Sequence, residues 1–234
     1  MQRNIVAGST SFIGRLAKLE LDRHDLPGIL VAVDGSDGTG KTTLLAGLES
    51  ELRLRGREVL ATRQPTTEAR ESSAFRDFLF RPEGRDDIDY RALLCLMIGD
   101  RLQHIHRVVR PALLRGAVVL CDRYIFTQMV ATVTRGFDDE QWMLELYQHV
   151  MRPDVGVITD APSDVVIERI SARSDAREAF YEDDHVRANL SAYREVALNY
   201  DLTVIDTLEV SSDDAVSLVL DEIDQQSVEK ASRA

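Results

Sequence analysis

One stretch restricts this chain more than any other: Val31-Ala32-Val33-Asp34-Gly35-Ser36-Asp37-Gly38-Thr39-Gly40-Lys41-Thr42-Thr43, an apolar run that breaks into glycines and then into a Lys-Thr pair. From Gly35 to Thr42 it fits G-x-x-x-x-G-K-[ST]. The flanks meet the structural requirement of that pattern. Ile29 to Val33 reads as a fully buried strand, and Leu44, Leu45, Leu48 and Leu52 form a helical stripe directly afterwards. Strand, glycine loop and helix in this order converge backbone N–H groups on an anion at the positive end of the helix. A turn that merely capped a helix would not need the whole spacing. Gly35, Ser36, Asp37, Gly38, Thr39, Gly40, Lys41, Thr42 and Thr43 therefore read as a cradle for a nucleoside triphosphate, with Lys41 reaching the β/γ-phosphates and the Thr42 hydroxyl ligating Mg²⁺.

Further β-like runs stand at Val59 to Thr62, Val118 to Cys121, Val155 to Thr159 and Leu202 to Ile205, with helical segments between them. That alternation predicts an α/β fold, a parallel sheet covered by helices on both faces. Each run has a charged residue at its carboxyl edge: Asp34, Arg63, Asp122 with Arg123, Asp160 and Asp206. Open α/β sheets bind ligands at that edge, so these charges are expected to converge on one crevice. Asp89 to Arg115 reads as a long helical region with Leu93, Leu94, Met97, Leu102 and Ile105 as its core stripe, ended or kinked at Pro111. Asp86-Asp87 and Ser163-Asp164 look like helix-start signals. Tyr90, His104, His106, His149 and His185 show no metal-ligand spacing and read as structural or exposed.

The expected boundaries are an N-terminal extension at 1–27, partly helical or disordered, one P-loop domain at 28–226 with a lid at about 171–184, and a flexible tail at 227–234. A net charge of −12 argues against a nucleic-acid partner, since affinity for the backbone depends on neutralising phosphates. Lysine stands only at Lys18, Lys41 and Lys230, so arginine carries nearly all the positive charge and suits bidentate phosphate contacts. Cys95 and Cys121 lie outside any C-x-x-C pattern and read as buried free thiols in a reducing compartment. No apolar segment approaches membrane-spanning length, and the first residues lack a signal core, so a cytoplasmic protein without a membrane partner is expected.

Beyond the phosphate loop, Arg63-Gln-Pro65, Asp100-Arg101, Asp122-Arg123-Tyr124 with Thr127, and Arg152-Pro-Asp154 occur in the order and approximate spacing of thymidylate kinases. From Ile29 to Ile223 the chain resembles that family of P-loop nucleoside monophosphate kinases. The resemblance implies a P-loop NTPase three-layer sandwich with a five-stranded parallel sheet and a short lid. It implies transfer of the ATP γ-phosphoryl group, with Mg²⁺, to the 5′-phosphate of dTMP or a related nucleotide, and a homodimer formed through long helices. It assigns Arg63 and Arg123 to the acceptor phosphate, Asp37 to the sugar 3′-hydroxyl or a magnesium-bound water, and Asp122 to the metal. The loop position that carries a basic residue in some members is Gly38 here. The charge on the transferring group is then expected from Arg173, followed by Arg177, on the segment matching the lid, with Arg169 beside them at ATP.

The acceptor pocket departs from the family pattern. Met97 stands where the base usually stacks on a ring, and Ala131 where an aromatic usually crowds the sugar 2′ position. Thr66-Thr67 replaces a glycine pair. Pro65, Arg76 toward the base carbonyl, Arg101, Thr127 and Gln128 complete the expected pocket, with Phe75, Phe78 or Phe126 as compensating aromatics. Two other readings stay open: a kinase of a nucleoside or other small acceptor, and a nucleotide-binding regulatory module without transferase activity. Under the monophosphate kinase reading, Ala131→Tyr should raise discrimination against ribose acceptors. The ratio of kcat/KM for dTMP and its ribo-analogue measures this, and an unchanged ratio removes the idea.

Overall fold

The computed structural model describes residues 19–80, 88–135, 141–172 and 183–233. Five strands form one parallel sheet in the order β2-β3-β1-β4-β5: β1 Ile29–Asp34, β2 Val59–Arg63, β3 Val118–Asp122, β4 Val155–Asp160 and β5 Thr203–Asp206. Strand β1 is central and buried at every residue. Because side chains alternate across a strand, Ile29, Val31 and Val33 belong to one core while Leu30 and Ala32 belong to the other. As expected, the charged residues stand at the carboxyl edge: Asp34, Arg63, Asp122, Asp160 and Asp206 are the last members of their strands and Arg123 follows β3, with Arg63 and Asp122 in register.

On one face pack α1 (Lys41–Leu54), through Leu44, Leu48 and Leu52, and α10 (Ser212–Ala231), through Val216, Val219, Leu220 and Ile223. The other face carries α4 (Tyr90–His104), α5 (Arg110–Leu114), α6 (Ile125–Thr134) and α9 (Asp183–Tyr200), whose Tyr193, Val196 and Ala197 meet Leu30, Ala32 and Val119 in the second core. Helices α2 (Thr67–Glu71), α3 (Ser73–Phe80) and α7 (Gln141–Tyr147) lie beside α4, and α8 (Ser163–Ser171) follows β4. This three-layer sandwich is the expected architecture.

Several local expectations change. Pro111 does not end the long helical region, because Ile105–Val109 widen into a π-helical stretch before it and the chain stays helical to Leu114. The helix-start signal for α4 is Asp89, whose carboxylate accepts the Arg91 N–H at 2.8 Å. Ser163 caps nothing, since it is already the first residue of α8 behind Pro162. Cys121 is buried, but Cys95 is exposed on α4. Most of the expected lid, Arg173 and Arg177 included, lies outside the described residues, as do residues 1–18 and Asp86-Asp87.

The expected tail from 227 is helical as far as Ala231, because Lys230 anchors it. Its ammonium lies 2.7 Å from Asp154 Oδ1 and donates to the carbonyls of Leu26 and Gly28 at 3.1 and 2.9 Å. His24 Nε2 sits 3.1 Å from Asp154 Oδ2, which also accepts the Leu30 N–H at 2.8 Å. Leu19 to Pro27 therefore run irregular yet packed, with Leu21 in the core and Asp22 bridged to Met151. Burial pushes the Asp154 carboxyl up, but His24, the Leu30 N–H and Lys230 together hold it below its ordinary value of 3.8. A carboxyl depressed in the folded state stabilises above its unfolded pKa, and that contribution is lost as pH falls through the folded value. Lys230→Met should cost about 3 kcal/mol at neutral pH by stranding a buried charge. Urea denaturation should show the gap from wild type shrinking below pH 4, and an equal gap at all pH values would exclude this ion pair as its cause.

Candidate active site

The loop from Gly35 to Gly40 is shaped by its own contacts. Gly35 takes φ +140°, where a Cβ would stand 2.5 Å from the Thr159 carbonyl, and Gly38 and Gly40 take φ +82° and +92°. Thr39 turns inward, its hydroxyl donating to the Ser36 carbonyl at 2.7 Å and meeting the Thr159 hydroxyl at 2.7 Å. Gly40 then caps α1 without a side chain, so the positive end of that helix opens into the loop. Lys41 folds back, its ammonium donating to the Gly35 and Ser36 carbonyls at 3.0 and 2.6 Å. Those carbonyls are weak partners for a cation, and phosphate oxygens would be stronger ones.

At the end of β1, Asp34 Oδ1 accepts three bonds from the start of α6: the N–H groups of Tyr124 and Thr127 at 2.9 and 2.8 Å, and the Thr127 hydroxyl at 2.5 Å. Burial raises its pKa against those same bonds. Between this anchor and β3, Arg123 is held at φ +64° with its N–H on the Val33 carbonyl at 2.9 Å. Its guanidinium thereby reaches over the loop, donating to the Gly35 carbonyl at 3.0 Å and to Asp37 Oδ1. Asp37 also lies 3.9 Å from the Lys41 ammonium. Half-exposed Arg63 donates to Asp122 Oδ2 at 3.1 Å, and Asp122 Oδ1 is buried without a hydrogen-bond partner among the described residues.

Asp122, which carries that oxygen, and Thr42 both line the cavity at the loop. One carboxylate and one hydroxyl, completed by substrate oxygens and water, is a set Mg²⁺ accepts. Among the described residues no three His, Cys, Asp or Glu cluster into a protein cage for a metal. The donors present therefore fit a magnesium ion that arrives with phosphates.

A single cavity of about 500 Å³ runs from Ser36, Lys41 and Thr42, past Arg63 and Arg123, to Met97, Gln128 and Ala131. The expected residues it brings together also include Asp37, Gly38, Gly40, Thr43, Pro65, Arg101, Asp122 and Thr127. Gly35 and Thr39 lie behind the loop surface and shape it. Arg169 is likewise behind it, donating to the Gly38 carbonyl at 3.1 Å. Arg76 is exposed and absent from the wall, whereas Arg70 lines it one helix earlier.

Of the three aromatics expected to compensate, Phe75 and Phe78 line the cavity, joined by Tyr90, while Phe126 is buried in the core against Tyr200. Thr66, in place of a glycine, caps α2 and ties the loop after β2 to Asp100, donating from its N–H at 2.9 Å and its hydroxyl at 2.5 Å. Sequence reasoning missed Gln64, Arg135, His185, Asn189 and Tyr193, all in the wall. A four-residue recurrence at His185, Asn189 and Tyr193 was the available signal for α9.

A family model described as thymidylate kinase matches residues 33–216. A protein named thymidylate kinase from Xanthomonas oryzae pv. oryzae is 35% identical over 191 residues, covering 80% of this chain and 78% of its own. One named probable thymidylate kinase from Thermococcus gammatolerans is 34% identical over 156 residues, covering 63% and 72%. Another named thymidylate kinase, from Chromohalobacter salexigens, is 34% identical over 157 residues, covering 66% and 74%.

Burial, helped by Arg123, brings the Lys41 ammonium down to about 7 against the pull of Asp37, Asp122 and Asp34. Lysine is then mostly neutral at pH 8 and mostly charged at pH 6, and a bound triphosphate favours its charged form. Binding of a non-hydrolysable ATP analogue should take up as much as about one proton at pH 8 through this group and almost none at pH 6. Calorimetry in buffers of different ionisation enthalpy, with Lys41→Arg subtracted, measures the uptake. Equal uptake at the two pH values would contradict it.

Proposed function

The chain belongs to the thymidylate kinase family, and from that premise we propose that it phosphorylates dTMP, or a closely related nucleotide, on its 5′-phosphate. As a member of the family it is an ATP-dependent phosphotransferase. The observation that supports this acceptor is the single cavity in which the phosphate loop and the Arg63–Arg123 pair stand together. Transfer of a phosphoryl group needs little covalent help, since positioning and stabilisation of spread negative charge supply most of the rate. Two anions must therefore be held end to end, and this cavity has a cationic group for each.

In this reading the ATP phosphates take the loop N–H groups and draw Lys41 away from the Gly35 and Ser36 carbonyls. The acceptor phosphate takes Arg123 and Arg63, displacing part of their contact with Asp37 and Asp122. Asp37 would then accept from a sugar hydroxyl. Thr42 and Asp122 would hold Mg²⁺, which when bound supplies charge neutralisation on the phosphate oxygens. Phe75, Phe78, Tyr90 and Met97 offer the base an apolar wall in place of one flat ring. Arg173 and Arg177 remain our candidates for the transferring group.

A nucleoside kinase would need a general base for a hydroxyl acceptor, where this cavity offers two guanidinium groups. A module without transferase activity would have no use for Arg63 and Arg123 opposite an intact loop. We also infer a homodimer, supported by the exposed Cys95, Leu96 and Gly99 on one side of α4. Incubation with Mg-ATP and a panel of nucleosides and monophosphates should release ADP with dTMP. Release only with nucleosides selects the nucleoside kinase, and none with any acceptor selects the binding module. Arg123→Met should lower kcat/KM for dTMP by ~10²–10³-fold, the scale of losing one charge-stabilising donor.

A further inference from the structure

Tyr193, on α9, is only 4% exposed and packs in the second core, yet it also lines the cavity. Its hydroxyl meets the Thr127 hydroxyl at 2.9 Å, its one hydrogen-bond partner among the described residues. Which of the two donates is fixed by Asp34. Oδ1 of that carboxylate already accepts the N–H groups of Tyr124 and Thr127, so it carries no proton, and the Thr127 hydroxyl at 2.5 Å must donate to it. A hydroxyl has a single proton, so Thr127 can meet Tyr193 only as an acceptor. The Tyr193 proton is thereby committed to Thr127, and its oxygen can only accept from any further partner. Burial above all pushes this hydroxyl up to about 12, with Arg123 pulling it down and Asp34 and Asp37 pushing it up, so the proton stays in place at neutral pH.

Helix α6 sets where that oxygen stands along an acceptor. The helix starts beside Arg123 and rises about 1.5 Å per residue, so Thr127 belongs to its first turn and Ala131 to the next. With a monophosphate held at Arg63 and Arg123, the sugar, one ester oxygen and one carbon beyond the phosphate, comes level with the first turn. Asp37, which meets Arg123 from the loop, is one hydrogen-bond acceptor at this level, and Tyr193 is a second, from α9. A 2′-deoxyribose has a single free hydroxyl to offer two acceptors, whereas a ribose has two. Ala131 adds only a methyl group to the wall one turn further on. We propose that Tyr193 is a specificity-determining residue whose oxygen accepts from the sugar 2′-hydroxyl, so that this cavity takes ribonucleoside monophosphates as well as deoxyribonucleotides. The proposal rests on the reading of the cavity as an acceptor-monophosphate site. A hydroxyl buried without a partner is costly, and one that finds an acceptor recovers that cost.

The test compares kcat/KM for dTMP, 5-methyluridine 5′-monophosphate and its 2′-fluoro-2′-deoxy analogue within each variant, so that the folded fraction cancels from every ratio. The three nucleotides differ only at the 2′ position. Wild type should use the ribonucleotide about as well as dTMP. It should favour the ribonucleotide over the fluoro analogue by about tenfold, because fluorine gives no proton and turns a negative end toward the Tyr193 oxygen. Tyr193→Phe keeps the ring and removes the acceptor. It should erase the preference over the fluoro analogue and lower the ribonucleotide:dTMP ratio by about tenfold, chiefly through KM. A wild-type preference for dTMP over the ribonucleotide of about tenfold or more overturns the proposal. Equal losses for all three nucleotides in Tyr193→Phe overturn it too, since a purely structural tie between α6 and α9 would give them. Calorimetric titration with the three monophosphates separates the levels: equal affinity for the ribonucleotide and the fluoro analogue overturns the role of Tyr193 alone, and binding of none overturns the acceptor reading as well.

Discussion

One buried carboxylate joins the two halves of the site. Asp34 ends the central strand, and with a single oxygen it gathers the first N–H groups and the first hydroxyl of α6. The glycine loop departs from the same strand end, so the donor-phosphate cradle and the helix that carries Thr127, Gln128 and Ala131 share one origin. Burying a carboxylate is costly unless its bonds are made, and the three bonds on Oδ1 offset part of that cost while burial still raises the Asp34 pKa and Oδ2 has no hydrogen-bond partner among the described residues. Arg123 sits between these features, its backbone N–H on the Val33 carbonyl and its side chain extended over the loop to the Gly35 carbonyl.

In this structure carboxylates and carbonyls stand where phosphate oxygens are expected. Asp37 meets Arg123, Asp122 meets Arg63, and the Gly35 and Ser36 carbonyls meet Lys41. Such partners keep the cations oriented in a cavity that would otherwise hold several like charges together. They also make the site responsive, because each contact is weaker than the one that replaces it. Preorganisation of this kind lowers the cost of assembling a strongly anionic pair of substrates.

Much of this was legible in the residue order. The phosphate loop has a fixed spacing and flanks, and the alternation of β-like and helical runs led directly to the parallel sheet. Register then placed Arg63 beside Asp122, as the charged strand ends suggested. What escaped was set by packing. Arg70 and Arg76 lie on neighbouring short helices, and linear spacing cannot tell which one turns inward. Gln64 looks like an ordinary polar residue, and Gln128, though expected in the pocket, shows no link to it until the Arg101 guanidinium between them is seen to bond both. Tyr193 gave no sign of its bond to Thr127, 66 positions away, because contacts between helices depend on how each is rotated about its axis. Lys230 looked like part of a fraying end, since no local pattern announces a partner as distant as Asp154.

That last contact has a practical consequence. Leu26, Gly28 and Asp154 lie at the amino edge of the sheet, where β1 and β4 begin, and the cavity opens at the opposite edge. The carboxy-terminal helix is thus moored to the floor of the domain, remote from the substrates. A fluorophore or a surface tether attached just past the mooring would leave the mouth of the cavity unobstructed, making that terminus the natural handle for single-molecule work.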